Sequence, residues 1–485
     1  MIAKDWISLV MIAGIVCISI LVGGPLLAAE NTDSWTENRV CLDCHRKVNI
    51  NTNEGVVASN SFCLQCHSKP DCNRMVGKKR VSLQVLPATL QDTPHHYSAC
   101  IHCHTDVARS PHRSESGAQC GACHTPHGEG TAHAPHLRVD CQACHFKSEF
   151  VQLDSRDGRI KLSRSNTAGE PIAIVDHGLA NASDQQLCRR CHRAGNVVGA
   201  PASVLPAKSV LCIVCHPAPA SVGHGLFWAA TVIFLLGLFL MLRFWFIGAV
   251  QGEEKSLHRK IALSSDAIWQ TIFSRQIWTV LKVLIIDIVM QRRILQESVQ
   301  RWSLHSLIFL AILVRFALSL LTGLLFSINP EGELALALMN KNHPATAFVY
   351  DLLGLFILLG VLWAAIQRLV VKPAHVIAEI EDNITIGIIG ALVVLGFLTT
   401  AVRLLLTQVP TELALYSFIG FSLSRLLGRL SVDWQSVYPV LWYAHAVMGA
   451  VLIAYLPFGK LKHVFNVPLT YLMEEVSGIK REKRV

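Results

Sequence analysis

Apolar residues in this chain gather in long unbroken runs toward its C-terminal end. Gly225–Val250 carries one charge, Arg243, over a stretch long enough to cross a bilayer as a helix. Four more runs follow, near Leu304–Phe326, Thr346–Val371, Ile384–Leu406 and Val437–Leu456. The pattern predicts five transmembrane helices, because a helix closes its backbone hydrogen bonds within one segment. Trp278–Met290 is also apolar but too short to span, which suits an interfacial helix or a docking surface. Tyr416–Leu430 is amphipathic and suits a lid lying on the membrane surface.

Before residue 225 the pattern changes. Lys4 precedes an apolar Ile7–Val22, which ends in Gly23-Gly24-Pro25. Residues 1–29 therefore read as an export segment, either a cleaved signal peptide or a retained anchor, and Cys17 within it as a small apolar residue. Residues 30–224 are polar. Their two spacers contain short alternating runs, Val81–Val85 and Arg159–Leu162, with strand character.

The chain has 485 residues, 52% hydrophobic and 16% charged, which is too apolar for an ordinary soluble enzyme. The formal charge of +9 is no nucleic-acid signal, because its basic residues crowd beside apolar runs. The linker Gln251–Ser303 holds Lys255, Arg259, Lys260, Arg275, Lys282, Arg292, Arg293 and Arg301, and the C-terminus adds Lys460, Lys462, Lys480, Arg481, Lys483 and Arg484. The loops at 327–345 and 407–436 have only Lys341, Arg425 and Arg429. The positive-inside rule then places linker and C-terminus in the cytoplasm and residues 30–224 on the periplasmic side of the inner membrane. The expected domains are 1–29, 30–224, 225–475 and a basic tail, 476–485.

Every cysteine precedes residue 225. Fourteen of the sixteen form seven C-x-x-C-H boxes: Cys41/Cys44/His45, Cys63/Cys66/His67, Cys100/Cys103/His104, Cys120/Cys123/His124, Cys141/Cys144/His145, Cys188/Cys191/His192 and Cys212/Cys215/His216. This is the attachment signature of c-type haem, with two thiols for the vinyl groups and an adjacent proximal His. Paired C-x-x-C motifs also bind zinc. The invariable His and the export segment favour haem, and loops this small do not suit structural disulfides. Seven haem c between Cys41 and His216 leave roughly 25 residues each, too few for an independent apolar core. The macrocycles must supply that core, and close haem packing is also what electron hopping needs.

Sixth ligands come from the remaining histidines: His95, His96, His112, His127, His133, His136, His177 and His224, with His102 weaker because it lies inside a box. Cys120-Gly-Ala-Cys-His124-Thr-Pro-His127-Gly resembles the C-x-x-C-H-x-P-H-G element of multihaem electron-transfer cytochromes. That resemblance implies that His127 ligates a neighbouring haem. No C-x-x-C-K box is present, the variant that marks the catalytic haem of multihaem nitrite reductases. Cys72 is left without a role.

In the membrane half, His445 and His463 lie five helical turns apart, roughly 27 Å on one helix face. That arrangement suits two b-type haems stacked across the bilayer, although Pro457 can kink the helix between them. For His463 the plain alternative is an interfacial cation beside Lys460 and Lys462. Arg315 stands mid-helix and needs a partner: a haem propionate, Asp351 in a structural pair, or a quinone oxygen.

The stretch His445-x3-Gly-x7-Pro-Phe-Gly-Lys-Leu-Lys-His463-x3-Val-Pro-x2-Tyr-Leu472 resembles the end of the nitrate reductase gamma subunit family. Arg301-Trp-Ser-Leu-His305-Ser-Leu-Ile-Phe309 resembles the second membrane helix of its relatives, the membrane subunits of heterodisulfide reductase and of complexes associated with dissimilatory sulfite reduction. The resemblance covers residues 225–475. It implies a five-helix b-type cytochrome with a quinone site, in which His305 and His463 pair on the cytoplasmic haem. The family's second helix-two His is missing here, where Val314-Arg315-Phe316 stands. By elimination His343 becomes the partner of His445 if there is an outer haem, so one or two haem b are expected.

The expected architecture is a multihaem cytochrome c domain of loops and short helices, fused to an all-α bundle of five transmembrane helices. The function this implies is an oxidoreductase of respiration. It would exchange electrons between the quinone pool, with menaquinone as the expected quinone, and periplasmic c haems. The expected partners are membrane lipid, a periplasmic electron carrier and a cytoplasmic iron–sulfur subunit. A second reading is a conduit or anchor subunit without its own quinone site, and a third is a terminal reductase with an open c haem.

Overall fold

The computed structural model describes residues 51–476, apart from 77, 92, 106, 108–119, 121–122, 125–135, 137, 147–150, 155–157, 164–177, 180–184, 249–253, 330–331 and 372–378. The export segment, the first box and the tail from residue 477 lie outside the described residues. Residues up to 204, with 406–412, form one compact unit, and 205–405 with 413–476 form the other. The division falls before the Cys212 box, whereas the expected domain boundary follows it.

The first unit is built of short pieces. Thr52 starts α1 (Asn53–His67) by accepting a hydrogen bond from the Gly55 amide at 3.1 Å. The helix runs into the second box and ends on its His. Each spacer folds into one hairpin. β1 (Asn73–Val76) pairs antiparallel with β2 (Lys79–Ser82), Asn73 opposite Ser82, and β3 (Val151–Leu153) pairs with β4 (Ile160–Leu162), Val151 opposite Leu162. The buried apolar cluster here is Ala143, Val151, Leu162 and Val198. Val139, Phe146, Ile160, Cys191 and Ala200 pack against it, and Val56, Val81 and Ala99 are buried elsewhere in the unit.

The second unit is helical, and local chemistry sets the helix ends. α2 (Gly225–Trp245) is capped by His224, whose Nδ1 accepts from the Leu226 amide at 3.3 Å. Its other end receives the Lys260 ammonium, which donates to the carbonyls of Phe246 and Gly248 at 3.0 and 2.8 Å. Lys260 itself sits in α3 (Leu257–Ile272). Ser298 caps α4 (Val299–Ile328), and α5 (Pro344–Ile366) carries Pro at its first position. Next come α6 (Ile380–Thr407), α7 (Phe418–Leu427), α8 (Trp434–Tyr455) and α9 (His463–Val476). Among the described residues five helices are long and apolar enough to cross a membrane: α2, α4, α5 with its continuation to Val371, α6 and α8. Trp278–Met290 folds as the short helices Gln276–Lys282 and Val283–Val289. The amphipathic 416–430 stretch contains α7, whose Ile419 amide donates to the Asp351 carboxylate of α5 at 2.6 Å.

One expectation fails here. His445 and His463 do not share a helix. α8 stops at Tyr455, a tight turn covers Lys460–Lys462, and His463 opens α9. Pro457 supplies no amide hydrogen and cannot continue the ladder. The 27 Å spacing along one face therefore does not apply.

α4, α5 and α6 meet around the buried Ala311, Ile357, Val361 and Ile389. Gly360 allows the close approach of α4 to α5. A Cβ there would stand 2.6 Å from Ile308 Cγ1 and 3.1 Å from Leu307 Cβ. Gly360→Val is expected to push these helices apart and lower stability by about 1–3 kcal/mol. The check is denaturant unfolding in detergent, with exposed Gly387→Val as control, since a Cβ at Gly387 meets nothing within 4 Å.

Candidate functional site

A helical turn places positions i, i+3 and i+4 on one face, so a C-x-x-C-H box that coils brings its two thiols and its imidazole together. The described boxes do coil. The His amide donates to the first Cys carbonyl at 2.9 Å in the boxes of His104, His124 and His192, and at 3.1 Å in that of His216. The second box ends α1, and the fifth forms the helix Cys141–His145. In the first unit the boxes follow one another in space. Cys63 lies beside Cys100, Cys103 beside Cys123, Cys120 beside Cys141, and Cys144 beside Cys188 and Cys191. Burial, with Cys63 adding to it, pushes the Cys100 thiol up to about 11, and burial does the same for Cys191.

The polypeptide covers the box thiols unequally. Cys63 is half-buried, whereas Cys66 is exposed, as are Cys103, Cys123, Cys141, Cys144 and Cys188. The reason at Cys66 is local. The chain leaves α1 directly after this residue in a turn, with the Lys69 amide donating to the Cys66 carbonyl at 3.1 Å, so no further helical turn covers the thiol.

Two imidazoles bonding one metal from opposite sides stand roughly 6 Å apart at their centroids, from metal–nitrogen bonds of about 2 Å and the ring radius. Among the described residues four histidine pairs have about this spacing. His136 lies 6.1 Å from His192, and His95 lies 5.7 Å from His124, with Nε2 facing Nε2 at 3.4 Å. In the second unit His305 is 6.1 Å from His463, and His216 is 6.4 Å from His445. Three of these four pairs join a box His to a histidine from elsewhere in the chain.

Carbonyls hold several rings in the tautomer a metal needs. The Nδ1 of His67 donates to the Leu83 carbonyl at 3.0 Å, that of His192 to Pro201 at 3.3 Å, and that of His463 to Lys460 at 2.7 Å. A carbonyl on Nδ1 fixes the tautomer and orientation of an imidazole, the role such partners play for metal-binding histidines. His305 uses a side chain instead. Its Nδ1 donates to Gln291 Oε1 at 2.9 Å. Gln291 is buried and left-handed at φ 54°, an uncommon backbone for a residue with a Cβ. The sequence carries no mark of this residue, which sits between Met290 and two arginines and matters only through where the chain turns.

Other expected site residues sit as follows. His96 bonds the Thr93 carbonyl through Nδ1 at 2.8 Å and lies against Tyr97. His224 caps α2. His343 stands just before α5, and the ring opposite His445 is that of His216, so the elimination argument for a His343–His445 pair fails. Arg315 donates to the Tyr350 carbonyl at 2.6 Å and lies over the Tyr350 ring. Asp351, one of its three candidate partners, lies near enough to act on it and itself accepts from the amides of Ile419 and Gly420. Cys72 Sγ lies 3.8 Å from His67 Nδ1. Cys41, Cys44, His45, His112, His127, His133 and His177 lie outside the described residues. Among the described residues no cluster of three or more His, Cys, Asp or Glu has the form of a bare metal site.

Residues 329–482 match the family model described as nitrate reductase gamma subunit. This C-terminal region is gamma-subunit-like. Its similarity extends to one subunit of the dihydromethanophenazine:CoB–CoM heterodisulfide reductases of Methanosarcina thermophila and Methanosarcina barkeri. Each is 28% identical over 254 residues, which is 50% of this chain and 87% of the relative. The EtfAB:quinone oxidoreductase of Syntrophomonas wolfei is 26% identical over 255 residues, 50% of this chain and 32% of that protein. No solved structure matches. With five spanning helices and this similarity, the chain is a multi-pass membrane protein.

Proposed function

We propose that this chain is a membrane electron-transfer subunit that exchanges electrons between quinone and c-type haems held by its own exported N-terminal part. The observation that carries this reading is the His305–His463 pair, 6.1 Å apart with both Nδ1 atoms tied back, on a chain with seven C-x-x-C-H boxes. Haem, when bound, supplies reversible one-electron chemistry. His305 and His463 would hold a b haem, with Gln291 and the Lys460 carbonyl fixing the ring orientations. The pairs His95–His124 and His136–His192 would hold c haems between two imidazoles, which closes iron to small substrates. That closure disfavours the terminal-reductase reading at those two sites.

The relatives are named as an oxidoreductase of quinone and as subunits of heterodisulfide reductases, and we extend both features to this chain as proposals: a quinone in the bundle, with menaquinone the expected one, and a cytoplasmic iron–sulfur partner. The basic linker and C-terminus support a cytoplasmic inner face, with the boxes outside. Arg293, which bonds Glu474 at 2.8 Å and lies over Tyr471, ties the linker to α9 on that face.

The test is reduction of the purified membrane protein by a menaquinol analogue, followed in separate b and c absorption bands. Reduction of both bands is expected. If quinol reduces neither while a soluble donor reduces the c band, the chain is a conduit and its quinone chemistry belongs to a partner. Gln291→Ala is expected to weaken b-haem retention by about 10–100-fold, as losses of a ligand's hydrogen-bond partner do, with covalent haem content unchanged. Haem titration of both proteins measures it.

A further inference from the structure

The Cys212 box does not belong to the outer unit. Its helical turn, Val210–Val214, packs against α4 and α8. Leu211 and Val222 join Phe227, Ala230, Ala446 and Ala450 in one apolar cluster, so the start of α2 and the middle of α8 hold the box. His445 of α8 stands opposite His216. The two rings are 6.4 Å apart and inclined by 24°. α6 fixes the His445 ring from behind. A Cβ on Gly396 would lie 3.3 Å from its Cε1, so glycine leaves the room the imidazole occupies.

We propose, building on the haem reading above, that His445 is the distal iron ligand of the haem attached at Cys212, Cys215 and His216. A transmembrane helix then holds a covalently bound haem, and the chain carries a single b haem, at His305 and His463. The alternative assigns His445 to a second b haem across from His343. The geometry disfavours it, because the space facing the His445 ring leads to His216.

The charges around this box fit an anionic ligand such as a haem with its two propionates. Lys208, Lys341 and Arg315 all lie close enough to influence His216. Lys208 donates to the Pro217 carbonyl at 3.1 Å. Among the described residues no carboxylate appears with the groups acting on Lys208 or Lys341. Burial brings Lys208 down to about 8, and Lys208 in turn holds the exposed Lys341 below the usual lysine range. Asp351 acts on Arg315 and on Arg403, which also lies near the two lysines, so the cations around this box outnumber the acid and an added anion is favourable there.

The test separates covalent from extractable haem. Acid–acetone removes b haem and leaves haem c on the chain. The wild-type protein is expected to give one extractable haem for seven covalent ones. His445→Ala is expected to leave both counts unchanged and to convert one c haem per chain from low-spin to high-spin, read by ferric EPR and by carbon monoxide binding after reduction. His305→Ala is expected to remove the extractable haem alone. Should His445→Ala disturb folding, Cys212→Ser/Cys215→Ser gives a second arm, with covalent haem falling from seven to six and extractable haem staying at one. Loss of extractable haem in His445→Ala, or two extractable haems in the wild type, overturns the assignment. A wild-type protein with no covalent haem would instead sink the broader reading on which this one rests.

Discussion

His305→Ala is expected to abolish quinol-driven reduction of the whole chain. The substitution removes one of two imidazoles that face each other 6.1 Å apart and leaves Gln291 Oε1 without the Nδ1–H it accepts. Losing a group that merely orients a ligand lowers affinity by about 10–100-fold, and losing the ligand itself should exceed that. The extractable haem should vanish, and the rate of c-band reduction by a menaquinol analogue should fall by more than about 100-fold. Reduction of the c band by dithionite should be unaffected, which shows that the boxes remain loaded. If quinol still reduces the c band at the wild-type rate, the route from quinone does not pass His305. His463→Ala should behave alike, since it supplies the other half of the pair from α9.

Depriving the chain of covalent haem is expected to unfold its first unit while the membrane helices persist. Ala143, Val151, Leu162 and Val198 are the buried apolar cluster of that unit, and two hairpins of three and four residue pairs add little. Burial of side chains at about 25 cal/mol per Å² cannot balance the ordering entropy of so many residues from a cluster of that size. Expression without the haem-attachment machinery should therefore give a chain whose residues 51–204 are cut by protease within minutes, while α2 to α8 stay protected. Equal protection of both regions with and without haem would mean that the polypeptide makes its own core there.

Much of this was open to reading in the residues. The five apolar runs name the five spanning helices, because no other backbone arrangement of that length survives in lipid. Their limits shift by a few residues, since Ser298, His224 and Pro344 set helix starts that the apolar pattern alone does not mark. The boxes are legible because haem attachment demands two thiols and an imidazole within one helical turn. How far the chain covers each thiol is not, as the exposed Cys66 beside the half-buried Cys63 shows. The pair His305–His463 was legible only through resemblance to a family.

The His216–His445 pair shows where reading stops. The two residues are 229 positions apart, and neither spacing nor polarity links them. Elimination pointed to His343, because a box His and a membrane His fell in domains drawn apart at residue 224. Gln291 was equally hidden, its role arising from one left-handed residue that turns a buried amide toward His305. The broken helix between His445 and His463 was half visible in Pro457, yet the direction taken after the break depends on how α9 packs against the linker.

The sequence by itself determined the chemistry available: thiol pairs beside imidazoles, apolar segments of membrane length, and basic residues on one side. These are local properties, fixed by composition and by spacing within a turn or a bilayer thickness. Tertiary structure decided which imidazole faces which, and to which unit the Cys212 box belongs. Those depend on packing between segments far apart in the chain, where a glycine such as Gly396 or a break such as Pro457 sets distances that no local pattern encodes.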